Sequence, residues 1–230
     1  MALSVPIYAL LGLCLLQQLI AAYAIDTRQY NTQSSGRQRI SINSDWRFWR
    51  SETNPDNLIY DNRTDTPQQG ATVLKPYILP SANDFINDLS KHHEAPLGNP
   101  GSNVSFVKNA FDDSTWESVD LPHDWAIKGP FYEGDDVPVT GGMGRLPIQG
   151  VAWYRRKLTV AAEDQNKVTY LDIDGAMSYA MVWLNGHLVG GWPYGYNSFR
   201  LELTPYLKPG EDNQLAIRLV SYDLVSQSTF

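Results

Sequence analysis

Hydrophobic positions recur at every second residue through the last third of the chain. Phe199, Leu201 and Leu203 alternate with Arg200 and Glu202, and Leu215, Ile217 and Leu219 alternate with Ala216 and Arg218. Successive side chains of a strand point to opposite faces, so this period of two predicts strands half in core and half in water. A further strand is expected over 153–160, with Tyr154, Leu158 and Val160 on one face. The pattern also predicts strands over 40–49, 167–174, 178–184 and 187–189. Asn185-Gly186 joins the last two, and both residues tolerate the positive φ of a two-residue type I′ hairpin turn. Thr204-Pro205 can open a single helical turn that stops by Gly210, since proline suits the first helical position. No pattern after residue 116 is long enough for a helix of three turns.

The middle of the chain reads differently. Residues 51–109 are rich in Asn, Asp, Pro, Gly and Ser and have weak periodicity. They predict a long loop-rich insertion with one short helix near 83–89. Structureless loops of this length are unusual in a compact domain, so part of it is expected to pack against the body. Short strands, regular turn signals and few helices together predict an all-β sandwich over 39–219.

Residues 1–24 read as a signal peptide. An apolar stretch from Ile7 to Leu16 is broken by Gln17-Gln18, which argues against a membrane-spanning helix. Ala22-Tyr23-Ala24 then offers a small-x-small cleavage site before Ile25, so a secreted protein is expected. Residues 25–38 are polar and expected to be flexible. The single cysteine, Cys14, lies in the leader, which leaves the mature chain without a disulfide or thiol nucleophile. Asn62-Arg63-Thr64 and Asn103-Val104-Ser105 are N-glycosylation acceptor tripeptides and fit a secretory route.

Composition narrows the partners. The chain is 43% hydrophobic and 19% charged, enough for a real core. Its net charge is -7, and its longest basic run, Arg155-Arg156-Lys157, is split between two strand faces. Nucleic-acid binding needs a basic patch that displaces counterions from phosphates, so nucleic acid is excluded as a partner, and so is a polybasic membrane anchor. The aromatic share is 12%. Flat, bulky rings suit strands, and Trp and Tyr also suit sugar sites, where a ring face meets the C–H face of a pyranose.

Glycoside cleavage needs two carboxyl groups opposed across the scissile bond. Asp112-Asp113 and Asp135-Asp136 are adjacent pairs whose side chains point apart on an extended chain, and they read as solvent-facing turn residues and caps. Asp172 and Asp174 share a face but sit at a strand end. No catalytic residue is therefore expected. His92-His93-Glu94 lacks the spacing of a good metal site, and Gly141-Gly142-Met143-Gly144 lacks the Lys-Ser/Thr of a phosphate loop. No metal and no cofactor are expected. The cluster Trp192-Pro193-Tyr194-Gly195-Tyr196 is either a sugar-stacking platform or a packed aromatic corner. Leu121-Pro122-His123-Asp124-Trp125 is a second dense patch, in which Asp124 can accept backbone hydrogen bonds.

These patches carry a resemblance. Phe111-Asp112-Asp113-Ser114-Thr115-Trp116 and Leu121-Pro122-His123-Asp124-Trp125 resemble the opening of the sugar-binding domain of family 2 glycoside hydrolases. Gly150-Val151-Ala152-Trp153-Tyr154-Arg155-Arg156, Val182-Trp183-Leu184-Asn185-Gly186 and Tyr194-Gly195-Tyr196-Asn197-Ser198-Phe199 continue it in order. The set closes on Glu202-Leu203-Thr204-Pro205-Tyr206-Leu207, and its insertion and Gly141–Pro147 loop look like secreted fungal members.

The resemblance implies a jelly-roll, galactose-binding-like β-sandwich that serves a β-galactosidase-like enzyme and has carbohydrate as its partner. In the family, an immunoglobulin-like domain and a TIM barrel follow, and the barrel supplies both glutamates of a retaining mechanism without an organic cofactor. Loops of the first domain edge the active-site pocket of the family's β-galactosidases. By position, the loop from Thr140 to Gly150 takes that role, with Gly142, Gly144 and Arg145 as candidates beside Trp192, Tyr194 and Tyr196. Residues 220–230 depart from the family's pattern, so Asp223 inherits no substrate contact. The rival expectations are a stand-alone carbohydrate-binding module and an inactive truncated scaffold.

Overall fold

The computed structural model describes residues 36–61, 70–127, 129–131, 133, 134 and 149–221. Gly142, Gly144, Arg145 and Asn62 lie outside these residues. The chain divides into two units, 1–41 and 42–230. Residues 36–41 of the first form no helix or strand. The second carries the β-architecture and is described from here on.

The first strand, β1 (Trp46–Ser51), is followed by the short β2 (Leu58–Ile59) and β3 (Thr72–Val73) of the insertion and by β4 (Glu117–Val119). Then come the long β5 (Gly150–Thr159), β6 (Tyr170–Ile173), β7 (Ala180–Leu184), β8 (His187–Trp192), β9 (Phe199–Glu202) and β10 (Asp212–Ser221). Six of these form an antiparallel sheet in the order β4-β1-β5-β10-β7-β8, while β6 and β9 pair as a separate antiparallel ladder. Asn185 and Gly186, between β7 and β8, take φ of 52° and 81°, the left-handed pair that the hairpin turn demands.

Sheet and ladder close on a shared core. Phe48, Tyr154, Val182 and Ile217 from the sheet meet Leu171, Phe199 and Leu201 from the ladder. This is the sandwich that the alternating pattern predicts.

The other face of the sheet is not in water. Trp153, Met181, Trp183, Ala216 and Val220 bury against Leu58, Leu74, Ile78, Val104 and Val107 of the insertion. The insertion thus forms a second core, and the central strands are buried on both sides. Arg218, which alternation assigns to solvent, sits fully inside this layer. A buried charge is tolerated only when paired and hydrogen-bonded, and Arg218 meets Asp56, also buried, with Nε 2.8 Å from Oδ2 and Nη2 3.0 Å from Oδ1.

Arg155 is handled alike. Its Nε lies 2.7 Å from Asp113 Oδ2, and its other nitrogens donate to the carbonyls of Phe106, Lys108 and Phe111. Asp113 is therefore an internal partner rather than a solvent-facing turn residue. Burial pulls the Arg155 guanidinium below its ordinary value, and the Asp113 carboxylate opposes that shift.

Helical structure in the insertion begins earlier than the pattern suggests. A four-residue helix, α1, spans Lys75–Ile78, and 3₁₀ turns follow at Leu79–Phe85 and Leu89–Lys91. Pro76 and Pro80, each in a first turn, start these segments at positions where a missing N–H costs nothing. The Thr204-Pro205 turn is present as a 3₁₀ turn, Thr204–Tyr206.

Candidate functional site

Two loops meet at one end of the sandwich. The β6–β7 loop (174–179) and the β8–β9 loop (193–198) touch because Gly195 has no side chain: a Cβ there would lie 2.7 Å from Met177 Cβ and 2.8 Å from its Cα. Tyr179 N donates to Pro193 O at 3.0 Å and ties the loops again. Ser178 and Val220 exchange backbone hydrogen bonds of 3.3 and 3.0 Å, which fixes the same loop to the end of β10.

The three aromatics of this end divide. Trp192 is packed, its ring 5.4 Å from Phe85 and stacked at 6.3 Å and 21° on Phe199. Its buried Nε1 has no hydrogen-bond partner among the described residues. Tyr194 and Tyr196 are exposed at 56% and 75%. Their rings stand 5.6 Å apart and tilt by 54°, a V rather than one flat platform. Each ring can meet a separate sugar face, and the packed indole holds the root of the loop.

The second patch is packing rather than surface. His123 lies edge-on to Phe48 at 4.6 Å, its Nδ1 2.9 Å from Tyr154 Oη, and Trp125 stacks on Phe48 at 5.9 Å and 26°. Asp124 Oδ1 accepts from Ala126 N at 2.8 Å, the backbone bond expected of it. Burial raises the Tyr154 phenol above its usual range, with Asp124 and Glu117 adding to the shift.

The fully or largely buried carboxylates are committed elsewhere. Asp56 accepts from Trp153 Nε1 at 2.8 Å as well as from Arg218, and Asp113 holds Arg155. Among the described residues no group of three His, Cys, Asp or Glu side chains could hold a metal ion. Asn103 is exposed.

One feature escaped the sequence reading. A cleft of about 620 Å³ lies between the insertion and the outer face of the β6–β9 ladder, with Asp84, Tyr170, Arg200 and Glu202 in its lining. Alternation marked Arg200 and Glu202 only as a solvent face. Their grouping with Tyr170 depends on cross-strand register, which one strand's pattern does not carry.

Comparison with known proteins places this architecture. Residues 120–228, which include β5 to β10, match the family model described as glycosyl hydrolase 2 galactose-binding domain-like. Residues 120–228 are similar to a family 2 galactose-binding-like domain.

Relatives of this domain agree. It is 43% identical over 119 residues to the beta-galactosidase BoGH2A of Bacteroides ovatus, covering 52% of this chain and 14% of that protein. It is 38% identical over 114 residues to a putative beta-glucuronidase of Formosa agariphila, covering 50% of this chain and 11% of that protein. A beta-galactosidase of Lactobacillus delbrueckii subsp. bulgaricus matches at 32% over 154 residues, with 62% and 14% covered. The chain thus spans about one seventh or less of these relatives' length. The whole insertion, residues 51–109, lies outside the residues that the family model matches, while the buried sheet residues it covers in the second core lie inside them.

Proposed function

We propose that the chain is the amino-terminal carbohydrate-binding domain of a secreted, retaining, β-galactosidase-like hydrolase, and that bond cleavage takes place on carboxylates outside it. The match of residues 120–228 to the family 2 domain carries this reading. The fate of Asp56 and Asp113 supports it, because each is paired with a buried arginine and so is committed to holding the fold. The partners are the immunoglobulin-like and barrel domains of the whole enzyme. Tyr194 and Tyr196 contact saccharide at the loop end, and Gly142, Gly144 and Arg145 are the further candidate contacts from the sequence. Residues 1–24 direct secretion, and Asn62 and Asn103 accept glycans.

Sequencing the transcript beyond the Phe230 codon tests the reading. A frame that continues into a barrel with two active-site glutamates is the expected result, and a mature message ending at that codon overturns it. Purified chain is expected to leave chromogenic β-galactosides intact, and sustained turnover that co-purifies with it would place the acid pair inside. A stand-alone binding module is the second reading, favoured by the exposure of Tyr194 and Tyr196. It predicts saccharide affinity without any barrel.

A further inference from the structure

The cleft of about 620 Å³ is built by two parts of the chain that are far apart in sequence. Pro80, Asp84 and Leu97 come from the insertion, while Tyr170, Arg200 and Glu202 come from the β6–β9 ladder. Tyr194 and Tyr196 do not line it.

Register explains the polar wall. Tyr170 pairs with Glu202 and Asp172 with Arg200, so these four side chains share one face of the ladder. Their neighbours Leu171, Phe199 and Leu201 turn the other way into the core. Arg200 is held in place, with Nε 2.5 Å and Nη2 3.3 Å from the two oxygens of Asp172 and its guanidinium carbon 5.4 Å from the Tyr170 ring centroid. Asp172 raises the Arg200 pKa above its ordinary value, so the group stays a cation. Asp84 and Glu202 form no ion pair among the described residues, although Asp84 lies close enough to act on Arg200.

We propose that this cleft binds a neutral oligosaccharide. Tyr170 is 50% exposed, and with Arg200 over one face of its ring the other face is the apolar surface for the C–H face of a pyranose. Carboxylates only accept hydrogen bonds and a guanidinium only donates them, so Asp84, Glu202 and Arg200 suit vicinal hydroxyls, which do both. The volume falls in the range of small-ligand sites, about 300–1,000 Å³. Charge sets the specificity. The lining sets two carboxylates, Asp84 and Glu202, against Arg200, whose charge Asp172 offsets, so a uronate, sulfate or phosphate is disfavoured. The inference rests on the proposed function for its choice of saccharide as ligand.

Calorimetric titration of the full chain tests it, with β-linked tetrasaccharides of galactose, glucose and xylose as neutral probes and tetragalacturonate as the anionic one. At least one neutral probe is expected to bind. Tyr170→Ala and Glu202→Gln are each expected to weaken it tenfold or more, while Leu89→Ala, at an exposed residue outside the lining, binds as before. Glu202→Gln keeps the side-chain shape and guards against a folding artefact in Tyr170→Ala. The proposal is overturned if no neutral probe binds, if both cleft variants bind like the parent, or if tetragalacturonate binds as tightly. Binding kept in both cleft variants but lost in a Tyr194→Ala, Tyr196→Ala double variant would overturn the cleft yet leave the proposed function standing, since that function is judged by transcript and hydrolysis.

Discussion

Arg218 and Asp56, 162 residues apart, are joined in the interior by a two-point ion pair of 2.8 and 3.0 Å. One sits at the centre of β10 and the other opens the insertion. Their side chains are 0% and 1% exposed. Arg218 Nη2 also donates to Leu58 O at 2.8 Å and to Asn54 Oδ1 at 3.0 Å. This single guanidinium gathers the start of the insertion onto the back of the sheet, in register with the second core.

Removing one partner leaves the other charged, buried and uncompensated. Asp56→Asn and Arg218→Met are each expected to cost about 3–5 kcal/mol in urea denaturation. Replacing both, as Arg218→Met with Asp56→Leu, is expected to recover part of that loss, because an apolar pair needs no desolvation. Trp153 Nε1 still loses its acceptor in the double variant, so recovery falls short of the parent. Singles with the parent's midpoint would show that the insertion is held by its apolar contacts alone.

Gly101 supports the same layer by steric means. Its φ is +79°, and a Cβ there would lie 2.9 Å from Trp183 Cζ2 and 3.0 Å from Nε1, the atom that donates to Pro100 O. Gly101→Ala combines a left-handed backbone penalty with an overpacked indole, for an expected loss of about 2–4 kcal/mol. Chemical denaturation checks it, with Gly36→Ala as control, since a Cβ at Gly36 meets nothing within 4 Å. Equal midpoints for the two variants would refute the account.

The front half of this architecture was legible in the sequence. Phe199, Leu201, Leu215 and Ile217 turn toward the sandwich core as alternation requires, and Asn185-Gly186 makes its turn. The back half was not. A strand covered on both faces can keep the letters of a half-exposed one when its outer charge finds an internal partner, and Arg155 and Arg218 do so with Asp113 and Asp56. Local pattern cannot announce a partner far away in the chain. The same limit hid the cleft, because Tyr170 and Glu202 become neighbours only through the register of β6 and β9. At the loop end, composition marked the aromatics but not their division into packed Trp192 and exposed Tyr194 and Tyr196.

Alkali is expected to open the fold through two phenols. Burial raises the pKa of Tyr154 and, against a lowering by Lys75, that of Tyr60, both from 10.0. A pKa raised on folding means that the neutral form is preferred in the folded state. The stability it confers is fully present below pH 10.0 and is lost as pH climbs above that toward the folded values. Absorbance at the tyrosinate band should therefore rise in two phases, exposed phenols first and buried ones together with unfolding. Tyr154→Phe is expected to shrink the second phase and move it to higher pH. Its persistence unchanged in that variant would assign the alkaline transition to other groups.

Asn103 supplies the test of the secretory reading that the fold itself sharpens. It stands exposed in the turn between Gly101, under the Trp183 indole, and Val104, buried in the second core. Val104 N donates to Gly101 O at 2.9 Å and holds the turn. Asn103 belongs to neither core, so a glycan there displaces no buried side chain. Chain secreted from a eukaryotic host with its own leader is expected to lose mass on peptide-N-glycosidase treatment. Asn103→Gln should remove one glycan step, and Ser105→Ala should remove the same step, because the acceptor tripeptide needs that hydroxyl. The two variants share no side-chain chemistry apart from the tripeptide, so a step lost in only one of them would place the glycan elsewhere.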